Sequence, residues 1–126
     1  MILVTLGTQD KTFIRLLEKI DDLIEKGLIQ DQVVVQSGYT KYHSSNMEIF
    51  DLIPQDEFNS LMEKADIIIT HGGVGSIISA LEKGKKVIAI PRLAKYGEHI
   101  NDHQTQIVSK FNSLGYLIGL QEVDEL

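Results

Sequence analysis

A chain of 126 residues, 43% apolar and 24% charged, has the size and composition of one folded unit, and no repeat or low-complexity tract divides it, so a single domain over 1–126 is expected. The formal charge of −6 offers no basic face to nucleic acid, so an anionic ligand has to be held by local dipoles and a few side chains. The absence of cysteine excludes disulfides and thiolate metal sites, and no apolar run approaches the ~20 residues of a membrane span, so a cytoplasmic location is expected.

Ile2-Leu3-Val4-Thr5-Leu6 is a nearly continuous apolar run, the pattern of a parallel strand covered on both faces, and Gly7-Thr8-Gln9 ends it in a first strand-to-loop ligand position. Asp10 or Thr12 is placed to cap a helix whose apolar residues Phe13, Leu16, Leu17, Ile20, Leu23 and Ile24 keep the 3,4 spacing as far as Gly27. Val33-Val34-Val35 is a second strand ending at Gln36-Ser37-Gly38. Tyr39 to Asn46 has no helical pattern and reads as an open loop to a third strand, about Glu48 to Ile53. Pro54 begins a short helix with Phe58, Leu61, Met62 and Ala65 on one face.

The most informative stretch is Ala65 to Gly84. An Ile67-Ile68-Ile69 strand breaks into Gly72, Gly73 and Gly75, and a helical pattern at Val74, Ile77, Ile78 and Leu81 follows. Such a strand, tight loop and helix aims unpaired backbone N–H groups and the positive end of a helix dipole at one point. The three glycines would let the backbone approach an anion there, and His71 and Ser76 would add donors, so the stretch reads as a phosphate cradle. A tight turn with no ligand is the plain alternative.

Lys86 to Ile90 is another buried-type strand, stopped by Pro91. After the loop Arg92 to Gly97, a helical stretch is expected from Glu98, with Ile107, Val108, Phe111 and Leu114 along one stripe to Gly115. Tyr116 to Leu120 is a last strand, and Gln121 to Leu126 reads as the beginning of a further helix. The alternation predicts an α/β fold with an open, mostly parallel sheet and helices on both faces, its ligands at the carboxyl ends of the strands.

The cradle ends in neither the Gly-Lys-Ser/Thr of a Walker loop nor a G-x-G-x-x-G, which argues against kinases and NAD enzymes. No Asp-x-Asp is present to hold a diphosphate through a metal. His99 and His103 lie four apart but lack a third ligand of clear spacing, so no metal site is expected. Glu98 and Asp102 fit a helix start and a functional role equally. No residue has the spacing of a catalytic base or nucleophile.

His71-Gly-Gly-Val-Gly-Ser76, Phe50-Asp-Leu-Ile-Pro54, Ala65-Asp-Ile-Ile-Ile69 and Asp102-His-Gln104 together resemble the donor-binding C-terminal half of family-28 glycosyltransferases, which pair two Rossmann-like domains across a cleft. The resemblance runs from Ile2 to about Gly119 and is strongest to the free-standing form. That form is the small subunit of two-component N-acetylglucosaminyltransferases of dolichol-linked oligosaccharide synthesis, with bacterial counterparts in capsule and exopolysaccharide synthesis. Val4 to Gln9 and Tyr96-Gly-Glu98-His99 are similar to the bacterial proteins.

The resemblance implies a subunit that binds a UDP-sugar without a metal or other cofactor. A membrane-associated partner would supply the lipid-linked acceptor and complete an inverting hexosyl or N-acetylhexosaminyl transferase. By position, Gly7, Thr8, His71, Gly73, Gly75 and Ser76 would face the donor diphosphate or the cleft, Gln104 with His103 before it would contact the sugar, and Glu98 and His99 would border the same cleft. Ser79 stands where relatives often carry a carboxylate that binds the ribose hydroxyls, which leaves that contact weaker or transferred to Glu82. This departure keeps open a non-catalytic accessory protein that binds and activates a transferase partner.

Overall fold

In the computed structural model, which describes residues 1–7, 11–99, 101–122 and 126, six strands form one sheet in the order β3-β2-β1-β4-β5-β6, and all five pairings are parallel. The strands are β1 (Ile2–Thr5), β2 (Val33–Gln36), β3 (Glu48–Phe50), β4 (Ile67–Thr70), β5 (Lys86–Ala89) and β6 (Ile118–Gly119). The helices are α1 (Ile14–Glu25), α2 (Gln55–Lys64), α3 (Val74–Glu82) and α4 (His103–Ser113), with a single 3-10 turn at Ala94–Tyr96.

Successive side chains of a strand point to opposite faces, and β1 feeds two cores accordingly. Ile2, Val4 and Leu6 pack with Phe13, Leu16, Leu17 and Ile20 of the α1 side. Leu3 packs with Met62, Ile77 and Val108 from α2, α3 and α4. Each fully buried aliphatic side chain contributes about 1.5–3 kcal/mol, which is why the central strands read as unbroken apolar runs.

Several boundaries differ from the sequence pattern. Asp10 lies outside the described residues and Thr12 does not cap α1. The helix starts after Phe13 with no side-chain cap of its own, and the Phe13 N–H donates to Thr40 Oγ1 at 3.0 Å, so the cap comes from the loop after β2. That loop is also tied to α1 through Asp21, whose carboxylate accepts from Tyr42, Ser44 and Asn46 and is thereby held below the usual carboxylate pKa, Asn46 contributing most. The third strand stops at Phe50 and not Ile53, because β2 offers partners only to Gln36. The last helix begins at His103, five residues after Glu98, because Glu98 is drawn into the loop and Asn101 Oδ1 accepts the His103 N–H at 2.8 Å. The last strand shrinks to two residues, pairing only with Ile88 and Ala89. Gln121 and Glu122 form a bend, and residues 123–125 of the expected terminal helix lie outside the described residues.

Candidate functional site

Strand order reverses beside β1, which pairs with β2 on one side and β4 on the other. Thr5 is in register with both Gln36 and Thr70, so three strands end level and the loops after β1 and β4 leave from one crevice, the place where open α/β sheets bind ligands.

The two loops meet on His71. A Cβ at Gly7 would lie 2.5 Å from His71 Nε2, and one at Gly73 would lie 2.2 Å from His71 Cε1, so the imidazole is held between two bare backbones. Gly7 also has φ +76°, in the left-handed region. His71 is 5% exposed. Gln104 lies against the same ring: its Oε1 accepts the Gly72 N–H at 3.1 Å and the Arg92 N–H at 3.0 Å, and its Nε2 is 3.3 Å from His71 Nδ1. Gly72 is pressed against the Gln104 side chain, where a Cβ would fall 2.6 Å from its Cβ. Among the described residues His71 Nε2 has no hydrogen-bond partner.

Burial, reinforced by the positive charge of Arg92, lowers the His71 pKa from 6.5 to about 4. A histidine buried neutral stabilises the fold where the unfolded imidazole is also neutral. Between pH 6.5 and 4 the unfolded chain binds the extra proton, so stability falls as pH falls through that window, by up to about 3 kcal/mol at its lower end. Urea unfolding at pH 7, 5.5 and 4.5 is expected to show this loss, and His71→Phe to show a shallower one. Equal pH dependence in both proteins would mean that His71 is not the group responsible.

Arg92, 1% exposed, ties the crevice together. Its guanidinium donates to the carbonyls of Leu6, Lys11 (2.6 Å) and Glu98 (3.2 Å), joining the end of β1 to Lys11 and to the segment after β5. The Glu98 carboxylate accepts the Leu93 N–H at 3.1 Å and Arg15 Nε at 2.8 Å. Glu98, a candidate ligand residue from the sequence, is therefore engaged on both oxygens and buried at 3% exposure.

On the α2 and α3 side of the crevice lies a cavity of about 240 Å³, bordered by Gly7, Gln36, Phe58, Gly75, Ser76 and Ser79. The start of α3 opens here: among the described residues no side chain caps it, no acidic residue lies in its first turn, and its first backbone bond is Ile77 N–H to the Gly73 carbonyl. By contrast, α2 carries Asp56 and Glu57 in its first turn, which offset its own dipole. The positive end of α3 is thus left for something outside the helix.

The candidate residues divide into three groups. Gly7, Gly75, Ser76 and Ser79 border the cavity; His71, Gly72, Gly73 and Gln104 form the buried network beside it; and Glu98, His99 and His103 belong to the segment after β5. There His99 Nδ1 accepts the Asn101 N–H at 3.3 Å and His103 is exposed. Thr8 lies outside the described residues. Among the described residues no three His, Asp or Glu side chains converge as ligands for a metal ion. Gln36, Phe58 and Arg92 were not singled out by sequence. Gln36 links the Gly7 and Asp51 carbonyls, at 3.2 and 3.1 Å, a role with no local signature. A larger cavity of about 370 Å³ lies under the loop carrying Tyr42 and His43, bordered by Ser37, Met47, Ile49 and Asp51.

The Glycosyltransferase family 28 C-terminal domain matches residues 1–122. The proteins called UDP-N-acetylglucosamine transferase subunit ALG13 in Candida albicans and Eremothecium gossypii are 32% and 33% identical to the chain over 81 and 82 residues, 64% of its length in each case. The chain covers only 26% and 38% of those two proteins, well under half of their length. Among solved structures, the glycotransferase of kitacinnamycin superposes with a TM-score of 0.73 at 23% identity, covering 99% of this chain and 30% of that one. Acinetobacter baumannii MurG superposes at 0.64 with 16% identity, covering 98% and 37%. These two likenesses are of fold.

Proposed function

Because the chain belongs to the glycosyltransferase family 28 C-terminal domain family, we propose that it is the UDP-sugar-binding subunit of a heteromeric inverting glycosyltransferase. It presents a hexose or N-acetylhexosamine to a lipid-linked saccharide held by a membrane-associated partner subunit. The name of the ALG13 relatives favours UDP-N-acetylglucosamine as the donor. Among the described residues no helix is long and apolar enough to cross a membrane, and we assign membrane attachment to the partner.

The observation that carries this reading is Gly75. It sits in the first turn of α3 without a positive φ, and among the described residues outside its own helix turn nothing lies within 4 Å of where its Cβ would be. Glycine in a helix costs about 0.5–1 kcal/mol relative to alanine, and neither backbone nor packing requires one here. A ligand that must approach the backbone closely does.

In this reading the donor diphosphate lies over the N–H groups of Gly75 and Ser76, with the Ser76 hydroxyl and His71 Nε2–H as further donors. The uracil and ribose take the cavity beside Phe58, Gln36 and Ser79. The acceptor hydroxyl displaces UDP at the anomeric carbon with inversion, and the negative charge that develops on the leaving diphosphate falls on donors already in place. The base that deprotonates the acceptor belongs to the partner.

Gly75→Ala is expected to raise the melting temperature by a few degrees, the return of about 0.5–1 kcal/mol of helix propensity, while weakening UDP binding at least tenfold. Backbone NMR titration of the isolated chain with UDP, and with ATP and NAD as controls, reads the binding. UDP affinity unchanged by Gly75→Ala would sink the assignment of this helix start to the diphosphate.

A further inference from the structure

We propose that Gln104 is a positioning residue that locks His71 in the neutral tautomer bearing its proton on Nε2, and so keeps that N–H pointed at the crevice beside Gly7. Gln104 Oε1 receives two backbone N–H groups, from Gly72 and Arg92. A carbonyl oxygen can accept both, whereas an amide nitrogen in the same place would face two donors with donors of its own. The orientation of the amide is therefore settled by the backbone, and the group left facing His71 Nδ1 at 3.3 Å is the NH2. Facing a donor, Nδ1 must carry the lone pair, and in a neutral imidazole the proton then sits on Nε2.

Nε2 is buried, without a partner among the described residues, and adjacent to the position a Gly7 side chain would occupy. Its surroundings disfavour a second proton, first through burial and then through the positive charge of Arg92 at the end of β5. The ring is thus a fixed neutral donor, which a negatively charged group in the crevice can use without a proton having first to be placed. Gln104 is buried at 3% exposure, with both acceptor sites of its oxygen and one of its two amide N–H groups engaged, and it acts on a ligand in the crevice through the tautomer of His71. That effect rests on the donor-site reading above. The tautomer itself does not.

Gln104→Glu tests this with little change in shape. One carboxylate oxygen still accepts the two backbone N–H groups, while the other now presents an acceptor to Nδ1. Long-range nitrogen–proton NMR of the histidine ring in the full chain, with His71→Phe to assign the signals, reads the protonated nitrogen directly. The wild type is expected to show a bare Nδ1 and a protonated Nε2 throughout pH 5.5–7.5. Gln104→Glu is expected to place a proton on Nδ1 and to move the His71 titration upward, with UDP affinity at least tenfold lower. A proton on Nδ1 in the wild type would overturn the proposal, as would a ring state unchanged in Gln104→Glu. A ring with its proton on Nε2 as described, in a protein that does not respond to UDP, would support the positioning role and count against the donor site.

Discussion

Arg92→Met is expected to lower the free energy of unfolding by about 3–5 kcal/mol, the range for removing one partner from a buried charged network. The arginine is covered on all sides, and methionine fills much of its volume but supplies no donor. The carbonyls of Leu6, Lys11 and Glu98 would each lose a charged N–H, at roughly 1–3 kcal/mol for a buried acceptor left unpaired. Burial lowers the Arg92 pKa to about 10, with Glu98 opposing the fall, so the group is protonated at neutral pH and its charge is part of what is lost. Against a total of about 5–15 kcal/mol for a domain, this is a large share. Urea unfolding at pH 7 measures it, with the denaturant slope compared to confirm that the native state stays compact. A loss below 1 kcal/mol would show that Leu6, Lys11 and Glu98 keep their places without the guanidinium.

On the proposed function, His71→Ala, in the chain reconstituted with the proposed partner subunit, is expected to reduce transfer by about 10²–10³-fold, the range for deleting one pre-aimed donor to a developing negative charge. The fall should be in kcat more than in KM, because the donor acts on charge that grows as UDP departs. His71→Phe serves as the control: it restores a ring between Gly7 and Gly73 without an N–H, and should remain as impaired as the alanine variant. The complex must survive both changes, which co-elution of the two subunits checks. Transfer within threefold of wild type in an intact complex would remove His71 from the donor site and favour the accessory reading, in which the partner is the whole transferase.

The fold was legible because its main signals are local. Buried parallel strands have to be apolar on both faces, so Leu3-Val4, Val33 to Val35 and Ile67 to Ile69 declare themselves without knowledge of their neighbours, and the glycines and prolines between them mark the turns. Boundaries were less legible where they depend on partners distant in sequence. β3 ends where β2 stops pairing, β6 is as long as β5 allows, and α1 borrows its cap from Thr40.

The candidate site divides along the same line. The Gly72-Gly73-Val74-Gly75-Ser76 turn could be found because a strand, a glycine cluster and a helix adjacent in sequence suffice to place N–H groups at one point. Gln36, Phe58 and Arg92 carried no such mark. Their positions depend on loops 15–86 residues apart meeting at one edge of the sheet, as in the bonds from Gln36 to Asp51 and from Arg92 to Leu6.

By itself, then, the sequence determined the alternation of strands and helices, the parallel character of the sheet and the glycine turn between β4 and α3, because each follows from propensity, periodicity and local backbone freedom. Only the tertiary structure decided that Glu98 is consumed by Arg15 and the Leu93 N–H, and that Gln104 holds two loops and one histidine. It alone also decided that His71 lies buried between Gly7 and Gly73. Whether a polar side chain is free for a ligand depends on which donors and acceptors surround it, and those arrive from parts of the chain that no local pattern connects.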